Sequence, residues 1–278
     1  MTIGEAYHWA KQELAAAGIA DARVDAGLLL RKLTGFGTAA LYFDAERPFD
    51  ADLCERFRDA VLLRASHVPL QYITGEQEFM GLPFSVSPAV LIPRQDTECL
   101  VENAMRHCSG KRVLDMCTGS GCIILSLAKL CCLKYAAGVD LSEDALAVAA
   151  GNAEVLGAEV HWIRSDLFED VPGLFDVIVS NPPYIRTGEL SSLMPEVRDY
   201  EPRMALDGDE DGLCFYRRIA GEAGGHLSDG GMLFLEIGCD QAEAVTRLLS
   251  ENGFGEISVS KDYAGLDRVV CGRFTENK

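Results

Sequence analysis

The stretch RVLDMCTGSG, which runs from Arg112 to Gly121, decides the fold. Its first half is a short apolar run typical of a buried strand, and its two glycines lie directly before a helical pattern. A strand that turns through glycines into a helix places free backbone N–H groups at the carboxyl end of a sheet, where α/β folds bind ligands. The stretch therefore predicts a strand, a ligand-binding loop and a helix in succession; for the glycine pair alone, an ordinary tight strand-to-helix turn is the alternative.

Short apolar runs alternate with helical patterns from residue 96 onward. The predicted strands cover residues 112–117, 135–140, 159–166, 176–181, 231–238, 256–262 and 268–274. The predicted helices cover residues 97–108, 122–130, 143–156, 213–227 and 241–252. Apolar strands separated by helices indicate a Rossmann-like α/β sheet that is mainly parallel. Only a short turn separates the last two strands, so we expect an antiparallel hairpin at one edge of the sheet.

The first 74 residues show a different, helical pattern. Three predicted helices each carry apolar residues on one face: Ile3, Tyr7, Ala10 and Leu14; then Val24, Leu28, Leu29 and Leu33; then Leu53, Phe57, Val61 and Leu62. We predict a small helical bundle over residues 1–74, a β-hairpin-like linker over residues 75–95 and an α/β domain over residues 96–278.

The composition predicts a cytoplasmic globular protein. Apolar residues make up 48% of the 278, but no apolar run reaches the roughly 18 residues of a membrane span, and the N-terminal pattern is not that of a secretion signal. The ten cysteines include no CxxC pair, so we expect reduced and mostly buried thiols. The five histidines are scattered without ligand spacing, so we predict no metal site.

The charge is unevenly distributed along the chain, whose formal net charge is −18. Residues 1–75 hold 8 Lys and Arg against 10 Asp and Glu, whereas the remainder holds 17 against 33. An acidic surface repels phosphate backbones, so the charge favours a protein partner over nucleic acid. Solubility alone could also account for its sign.

Two acidic residues follow later strands of the predicted sheet. Asp140 lies about 20 residues beyond the glycine loop, where an acid can accept hydrogen bonds from both hydroxyls of a ribose. Helix capping is the alternative for Asp140, although Ser142 can serve as that cap. Asp166 is placed to reach the amine of an adenine, with Leu167 and Phe168 as apolar cover; a solvated strand-end carboxylate is the alternative. The loop lacks both the lysine of a Walker loop and the third glycine of the dinucleotide fingerprint.

The sequence Asn181-Pro182-Pro183-Tyr184 ends a predicted strand. The prolines fix φ and remove two N–H donors, which frees peptide carbonyls as acceptors, and the side chain of Asn181 adds another carbonyl. Two acceptors aimed at one NH2 group would orient it, and the ring of Tyr184 could lie against its flat face. No general base stands in this motif, so alignment and hydrogen bonding are its available means of catalysis. A simple double-proline loop is the alternative.

The motifs VLDMCTGSG and NPPY, with Asp140 and Asp166, together resemble those of class I S-adenosylmethionine-dependent methyltransferases that modify exocyclic or amide nitrogens. Longer stretches, among them FDVIVSNPPYI and DYAGLDRVV, resemble the release factor glutamine N5-methyltransferases of the HemK/PrmC type over nearly the whole chain. This resemblance implies methyl transfer from S-adenosylmethionine, which leaves S-adenosylhomocysteine, to the glutamine of the Gly-Gly-Gln loop of peptide chain release factors. We expect a monomer whose residues 1–74 help to recognise the factor.

The resemblance also implies roles for individual residues. The cofactor would contact Cys117, Thr118, Gly119, Ser120, Gly121, Asp140, Asp166, Leu167 and Asn181. The glutamine amide would contact Asn181, Pro182, Pro183 and Tyr184, of which Asn181, Pro182 and Tyr184 would be catalytic. Cys117 stands where many relatives have Gly, and Leu167 stands where an aromatic residue is common.

Residues on either side of these motifs have two interpretations each. Arg94 and Glu98 would shape the entrance of the site, or would form an ion pair at a helix start. The group Arg198, Tyr200, Glu201 and Arg203 would cover the substrate, or would belong to a surface loop held by its own salt bridges.

Two other functions remain open at this stage. An adenine-N6 DNA methyltransferase would present the amine of a flipped base to NPPY in the same geometry. A non-catalytic nucleoside-binding module would keep the fold without turnover. The net charge disfavours the first, and the intact Asn181 and Tyr184 disfavour the second.

Overall fold

The computed structural model describes residues 1–35 and 45–275, which form two compact units. Unit 1 contains Met1–Glu76 and Met194–Tyr200. Unit 2 contains Gln77–Leu193 and Glu201–Lys278. None of the helices in the described ranges combines the length and apolar character that a membrane span requires.

Unit 1 is helical. Its helices are α1 (Ile3–Ala16), α2 (Ala22–Thr34), α3 (Ala51–Ala65), α4 (Leu70–Thr74) and, from the second segment, α8 (Pro195–Tyr200). Side chains cap two of these helices, because Thr2 accepts a hydrogen bond from the Glu5 N–H and Asp50 accepts from the N–H groups of Asp52 and Leu53. Buried Arg64 binds Asp25 at 2.7 Å and Glu196 at 3.0 Å, which attaches the second segment to the bundle.

The predicted apolar stripes of the bundle are correct in part. Ile3, Ala10, Leu29, Phe57 and Val61 are buried in one apolar cluster. The predictions for Val24 and Leu62 are wrong, since these side chains are 56% and 48% exposed. The buried face of α2 instead contains Leu30 and small alanines. Because alanine is small, the sequence pattern did not identify these positions as core.

Unit 2 is built on a seven-stranded sheet. Its strands are β3 (Arg112–Met116), β4 (Tyr135–Asp140), β5 (His161–Arg164), β6 (Phe175–Ser180), β7 (Leu227–Glu236), β8 (Phe254–Lys261) and β9 (Asp267–Phe274). Their order is β5-β4-β3-β6-β7-β9-β8, and the first five strands are parallel. β9 is antiparallel to both of its neighbours, which confirms the predicted edge hairpin. A separate two-stranded sheet joins β1 (Glu76–Phe79) to β2 (Leu82–Ser85).

Helices cover both faces of this sheet. They are α5 (Gln95–Cys108), α6 (Cys122–Leu130), α7 (Glu143–Leu156), α9 (Cys214–Ala223) and α10 (Ala242–Glu251). Successive strand residues point to opposite faces, so Leu114 and Ile178 join one buried cluster while Val113 and Val177 join the other. The sheet is thus apolar on both sides, as the sequence predicted.

Three predictions need correction, and the first two concern unit 2. The helix predicted over residues 213–227 ends at Ala223, because Gly224 and Gly225 continue it only as a short 3₁₀ turn. The following strand begins at Leu227, four residues before the predicted start, and its pairing register shifts beside a glycine pair that interrupted the apolar pattern. The thiols are free within the described ranges, but "mostly buried" is wrong: Cys99, Cys108 and Cys122 are buried, whereas seven others are partly or fully exposed.

Candidate active site

A cavity of about 280 Å³ opens at the carboxyl ends of β3, β4 and β6. The predicted site residues that line it are Cys117, Thr118, Gly119, Ser120, Asp140, Asp166, Leu167, Asn181 and Pro183. Three further predicted residues, Gly121, Pro182 and Tyr184, are next to these in sequence. They are not part of the cavity lining that the described residues form. Its volume is close to the lower end, roughly 300 Å³, of the range for ligand pockets.

The loop between β3 and α6 is held in a conformation that glycine favours. Its φ angles are +62° at Cys117, +55° at Gly119 and +78° at Gly121, all in the left-handed region. Gly121 is also closely packed, since a Cβ there would lie 3.0 Å from Leu125. A side chain at a left-handed position such as Cys117 costs about 1–2 kcal/mol, so the loop holds Cys117 in a conformation that a glycine would adopt more easily.

Buried Asp115 lies beneath this loop and organises it. Its Oδ2 accepts hydrogen bonds from the hydroxyl of Thr118 at 2.6 Å and from the N–H of Ile124 at 3.3 Å. Burial raises the pKa of Asp115 to about 7, although these hydrogen bonds oppose the shift. Its Oδ1 has no hydrogen-bond partner among the described residues, so an acceptor remains available next to the loop.

Asp140 ends β4 and binds the backbone on both sides of the cavity. Its Oδ2 accepts from the N–H of Gly119 and its Oδ1 accepts from the N–H of Ser142, each at 2.9 Å. Burial raises the pKa of Asp140, and these N–H groups oppose that shift. The hydroxyl of Ser142 caps α7 by accepting from the N–H of Ala145, so the helix cap does not depend on Asp140. Each carboxylate oxygen of Asp140 retains a second lone pair for a ligand hydroxyl.

Asp166 lines the cavity and forms a salt bridge that the sequence did not predict. Arg218, from α9, binds its Oδ1 at 2.8 Å. Leu167 lines the cavity at φ +52°, but Phe168 does not serve as the predicted cover. Phe168 is buried and stacks instead on the ring of His226, with 4.7 Å between ring centroids.

Asn181 follows β6 directly, next to the carboxyl end of β3. Buried Ser180 fixes this strand end, because its hydroxyl donates to the carbonyl of Met116 at 2.7 Å. The side-chain nitrogen of Asn181 donates to the hydroxyl of Thr97 at 3.3 Å. Thr97 belongs to α5 and also lines the cavity.

The backbone after Asn181 packs against two glycines. A Cβ at Gly208 would lie 2.7 Å from the Cα of Tyr184, and one at Gly212 would lie 2.4 Å from its carbonyl oxygen. That carbonyl accepts from the side-chain nitrogen of Gln241 at 3.0 Å. The Pro183–Tyr184 backbone is therefore held on several sides.

Tyr184 directs its hydroxyl toward a buried acid. The hydroxyl lies 3.4 Å from Oε1 of Glu236, the last residue of β7. Burial raises the pKa of Tyr184, and the nearby Glu236 charge acts in the same direction. Burial likewise raises the pKa of Glu236 to about 7. Sequence reasoning missed Glu236, although its position at the end of an apolar strand is the same signal that marked Asp140 and Asp166.

The residues predicted near the entrance have separate partners. Arg94 lines the cavity and donates to buried Glu201, whose other oxygen accepts from the N–H of Ile92. Glu98 does not pair with Arg94 and instead accepts a hydrogen bond from the N–H of Met80 at 2.7 Å.

In the loop group, Arg198 and Arg203 have local partners, whereas Tyr200 and Glu201 bind residues distant in sequence. Within unit 1, Arg198 binds its neighbour Asp199, and the hydroxyl of Tyr200 donates to the carbonyl of Ser66. Within unit 2, Arg203 binds Asp207 at 3.0 Å. Among the described residues the cavity is instead lined nearby by Pro202, Met204 and Ala205.

Two family models match the chain. Residues 5–75 match the PrmC N-terminal domain, and residues 94–195 match the methyltransferase small domain. A methyltransferase from Pyrococcus furiosus has the same fold, with a TM-score of 0.54 at 19% identity over 71% of this chain and 91% of that one. The chain is therefore similar to methyltransferases in both sequence and fold.

Full-length relatives narrow this similarity. The release factor glutamine methyltransferase of Geobacter sulfurreducens is 45% identical over 274 residues, which cover 98% of this chain and 96% of that protein. The release factor glutamine methyltransferase of Agrobacterium fabrum is 42% identical over 273 residues, which cover 95% and 94%. These relatives confirm the resemblance that the sequence motifs indicated, and the chain belongs to the release factor glutamine methyltransferase family.

Proposed function

We propose that this enzyme transfers a methyl group from S-adenosylmethionine to the side-chain nitrogen N5 of the glutamine in the Gly-Gly-Gln motif of peptide chain release factors. One observation carries the proposal. The glycine loop, Asp140 and the carboxamide of Asn181 open on the same cavity. A cofactor and an amide substrate can therefore meet there.

The residues of the cavity fit S-adenosylmethionine. Asp140 has free lone pairs for two ribose hydroxyls, and the N–H-rich loop from Cys117 to Gly121 suits a polar ligand. Leu167 offers an apolar wall for an adenine, and Asp166 an acceptor for its amine. The cofactor supplies an electrophilic methyl group when it is bound and leaves as S-adenosylhomocysteine.

The substrate end of the cavity provides alignment. An amide nitrogen is a weak nucleophile, so catalysis depends on holding it in line with the methyl carbon and on drawing electron density toward it. The side-chain oxygen of Asn181 would accept from the glutamine NH2 group beside Pro183, which also lines the cavity. Pro182 and Tyr184 lie behind this lining, so their role would be to hold the backbone of Asn181 and Pro183 in place. The nitrogen forms its bond to the methyl carbon as the carbon–sulfur bond breaks, and it releases one proton to solvent.

The same proposal covers the partners of the enzyme. We place the enzyme in the cytoplasm with its substrate factors. We also expect it to act as a monomer. The excess of acidic residues beyond residue 75 favours a protein substrate over a nucleic acid. We also assign recognition of the factor to residues 1–74; deletion of Met1 to Thr74 without loss of activity on the whole factor would contradict this assignment.

Transfer of a radiolabelled methyl group tests the proposal. The acceptors are a purified release factor, its variant with the motif glutamine replaced by alanine, and duplex DNA. We expect label on the first only, with no loss of rate when a metal chelator is added. Label on DNA but not on the factor would favour the adenine-N6 alternative and contradict the proposal.

A further inference from the structure

Two buried carboxamides, those of Asn152 and Gln241, belong to neither the predicted site nor the cavity lining that the described residues form. These residues are 1% and 3% exposed. A buried amide is unfavourable unless its donors and acceptor are paired, so its partners show what the side chain holds in place. In both cases the partners are backbone groups, and they include a segment that reaches the cavity.

Asn152 joins β2 and α7 to the glycine loop. It lies within α7, although asparagine is a poor helix former, and its side chain is turned inward. Its Oδ1 accepts from the N–H of Ser85 at 2.7 Å. Its side-chain nitrogen donates to the carbonyl of Ser85 at 3.1 Å and to that of Ser120 at 2.9 Å. Because Ser120 lines the cavity between two glycines of the loop, Asn152 holds the loop from behind.

Gln241 holds the NPPY motif in the same way. Its side-chain nitrogen donates to the carbonyl of Tyr184 at 3.0 Å and to that of Gly212 at 3.2 Å. Its Oε1 accepts from the N–H of Gly238 at 2.9 Å. The two glycines leave room for this amide, since a Cβ at Gly212 would lie 2.7 Å from its nitrogen and one at Gly238 would lie 2.9 Å from its oxygen. Gln241 therefore fixes the carbonyl that ends the motif.

Both positions require a carboxamide. Each side chain donates to two carbonyls and accepts from one N–H, and only Asn and Gln combine two donors with an acceptor. A carboxylate cannot donate, a hydroxyl has one hydrogen, and the Lys and Arg side chains cannot accept. Any substitution thus leaves at least one of the backbone groups without its partner.

We propose that Asn152 and Gln241 are positioning residues with separate effects on the reaction. Asn152 positions the loop that binds the cofactor, and Gln241 positions the motif that binds the glutamine amide. The inference rests on the proposed function, which assigns these ligands to the loop and to the motif. Loss of Asn152 should therefore weaken cofactor binding, whereas loss of Gln241 should slow methyl transfer.

Cofactor affinity and transfer rate, measured separately, test this division. Asn152→Leu and Gln241→Met replace each amide by an apolar side chain of similar size. We expect Asn152→Leu to raise the Kd of S-adenosylmethionine, measured by calorimetry, about tenfold or more, the scale of a lost hydrogen bond. Its single-turnover rate at saturating cofactor should change by far less. We expect Gln241→Met to lower that rate at least about tenfold, the scale of a misaligned reacting group, with Kd within a few-fold of the wild type.

Matched variants separate these roles from general destabilisation, which would reduce the number of binding sites without separating affinity from rate. Each buried-amide variant is the control for the other. Asn252→Ala removes an exposed carboxamide that donates to the Leu248 carbonyl, and it should leave both quantities unchanged. If a larger variant does not fold, Asn152→Ala or Gln241→Ala, which leaves space for water, replaces it. Wild-type values in either position's variant, or equal losses of affinity and rate, would overturn the inference while leaving the proposed function intact.

A measurement without the release factor keeps the two proposals apart. Carbon-13 at tyrosine carbonyls and nitrogen-15 at isoleucines together mark two peptide bonds of this chain, Tyr72–Ile73 and Tyr184–Ile185. The Tyr184 carbonyl resonance, assigned by its loss in Tyr184→Phe, should shift in Gln241→Met but not in Asn152→Leu. An unchanged resonance in Gln241→Met would contradict the inference. If the resonance shifts and Asn152→Leu binds the cofactor weakly, but the wild type does not methylate the factor, the positioning roles stand and the proposed function fails.

Discussion

The backbone N–H of Gly119 donates to Oδ2 of Asp140 at 2.9 Å. This hydrogen bond joins the loop after β3 to the end of the adjacent strand β4. Asp140, which we propose as the ribose acceptor, thus also holds the loop that lines the same cavity, so the two parts of the proposed cofactor site are formed together.

Asp140→Asn should weaken cofactor binding selectively. The amide replaces one acceptor oxygen with a donor, which would face either the N–H of Gly119 or that of Ser142. We expect the affinity for S-adenosylmethionine, measured by calorimetry, to fall roughly 10- to 100-fold, the value of a hydrogen bond to a charged group. Turnover at saturating cofactor should change by far less. The control is Asp144→Asn, an exposed acid in the first turn of α7, which should bind normally; equal losses in both variants would contradict the assignment.

Gly208→Ala should impair transfer without touching the substrate. Its added methyl group would lie 2.7 Å from the Cα of Tyr184 and 2.9 Å from the carbonyl oxygen of Pro183, so the NPPY backbone must move. We expect kcat to fall by about tenfold or more, because small displacements of positioning groups are costly. Gly188→Ala meets nothing within 4 Å and serves as the matched control in the same rate assay. Normal kcat in Gly208→Ala would show that the position of this backbone is not critical.

Glu236→Gln should change how stability depends on pH. Burial raises the pKa of Glu236 from 4.5 to about 7, so between these values the folded protein holds a proton that the unfolded chain has released. Folding stability from this group is therefore lost as pH rises through that window. We expect the free energy of unfolding of the variant, measured with denaturant from pH 5 to 8, to increase relative to that of the wild type as the pH rises. The increase should be on the order of a few kcal/mol. Parallel stability curves would contradict a raised pKa. Asp115 titrates in both proteins and cancels from the difference.

Local patterns in the sequence were enough to predict the frame of the site. Helix α7 has the predicted bounds and the predicted cap at Ser142. Such a cap is a local contact, because the Ser142 hydroxyl accepts from the N–H of Ala145, only three residues later. The parallel sheet with its hairpin edge followed from apolar runs and the lengths between them. The carboxyl ends of parallel strands necessarily share an edge, so Asp140, Asp166 and Asn181 could be placed near one another from the sequence alone.

Contacts between distant segments could not be predicted in this way. Arg218 binds Asp166, and the hydroxyl of Tyr184 approaches Glu236, across sequence separations that no spacing rule covers. Phe168 was predicted to lie at the cavity. The residue before it, Leu167, has a left-handed backbone conformation, and the Phe168 ring stacks on His226 instead. Such details depend on packing between elements, which a single sequence does not specify.

The account depends most directly on the Asn181 carboxamide as the group that orients the substrate. Single-turnover methylation of a release factor, measured beside cofactor affinity for the wild type and Asn181→Ala, tests it. We predict that the variant binds S-adenosylmethionine within a few-fold of the wild type and transfers the methyl group roughly 10²-fold more slowly, the scale seen when a preorganised hydrogen-bonding group is removed. An undiminished rate, or a loss of rate matched by an equal loss of cofactor affinity, would contradict the claim.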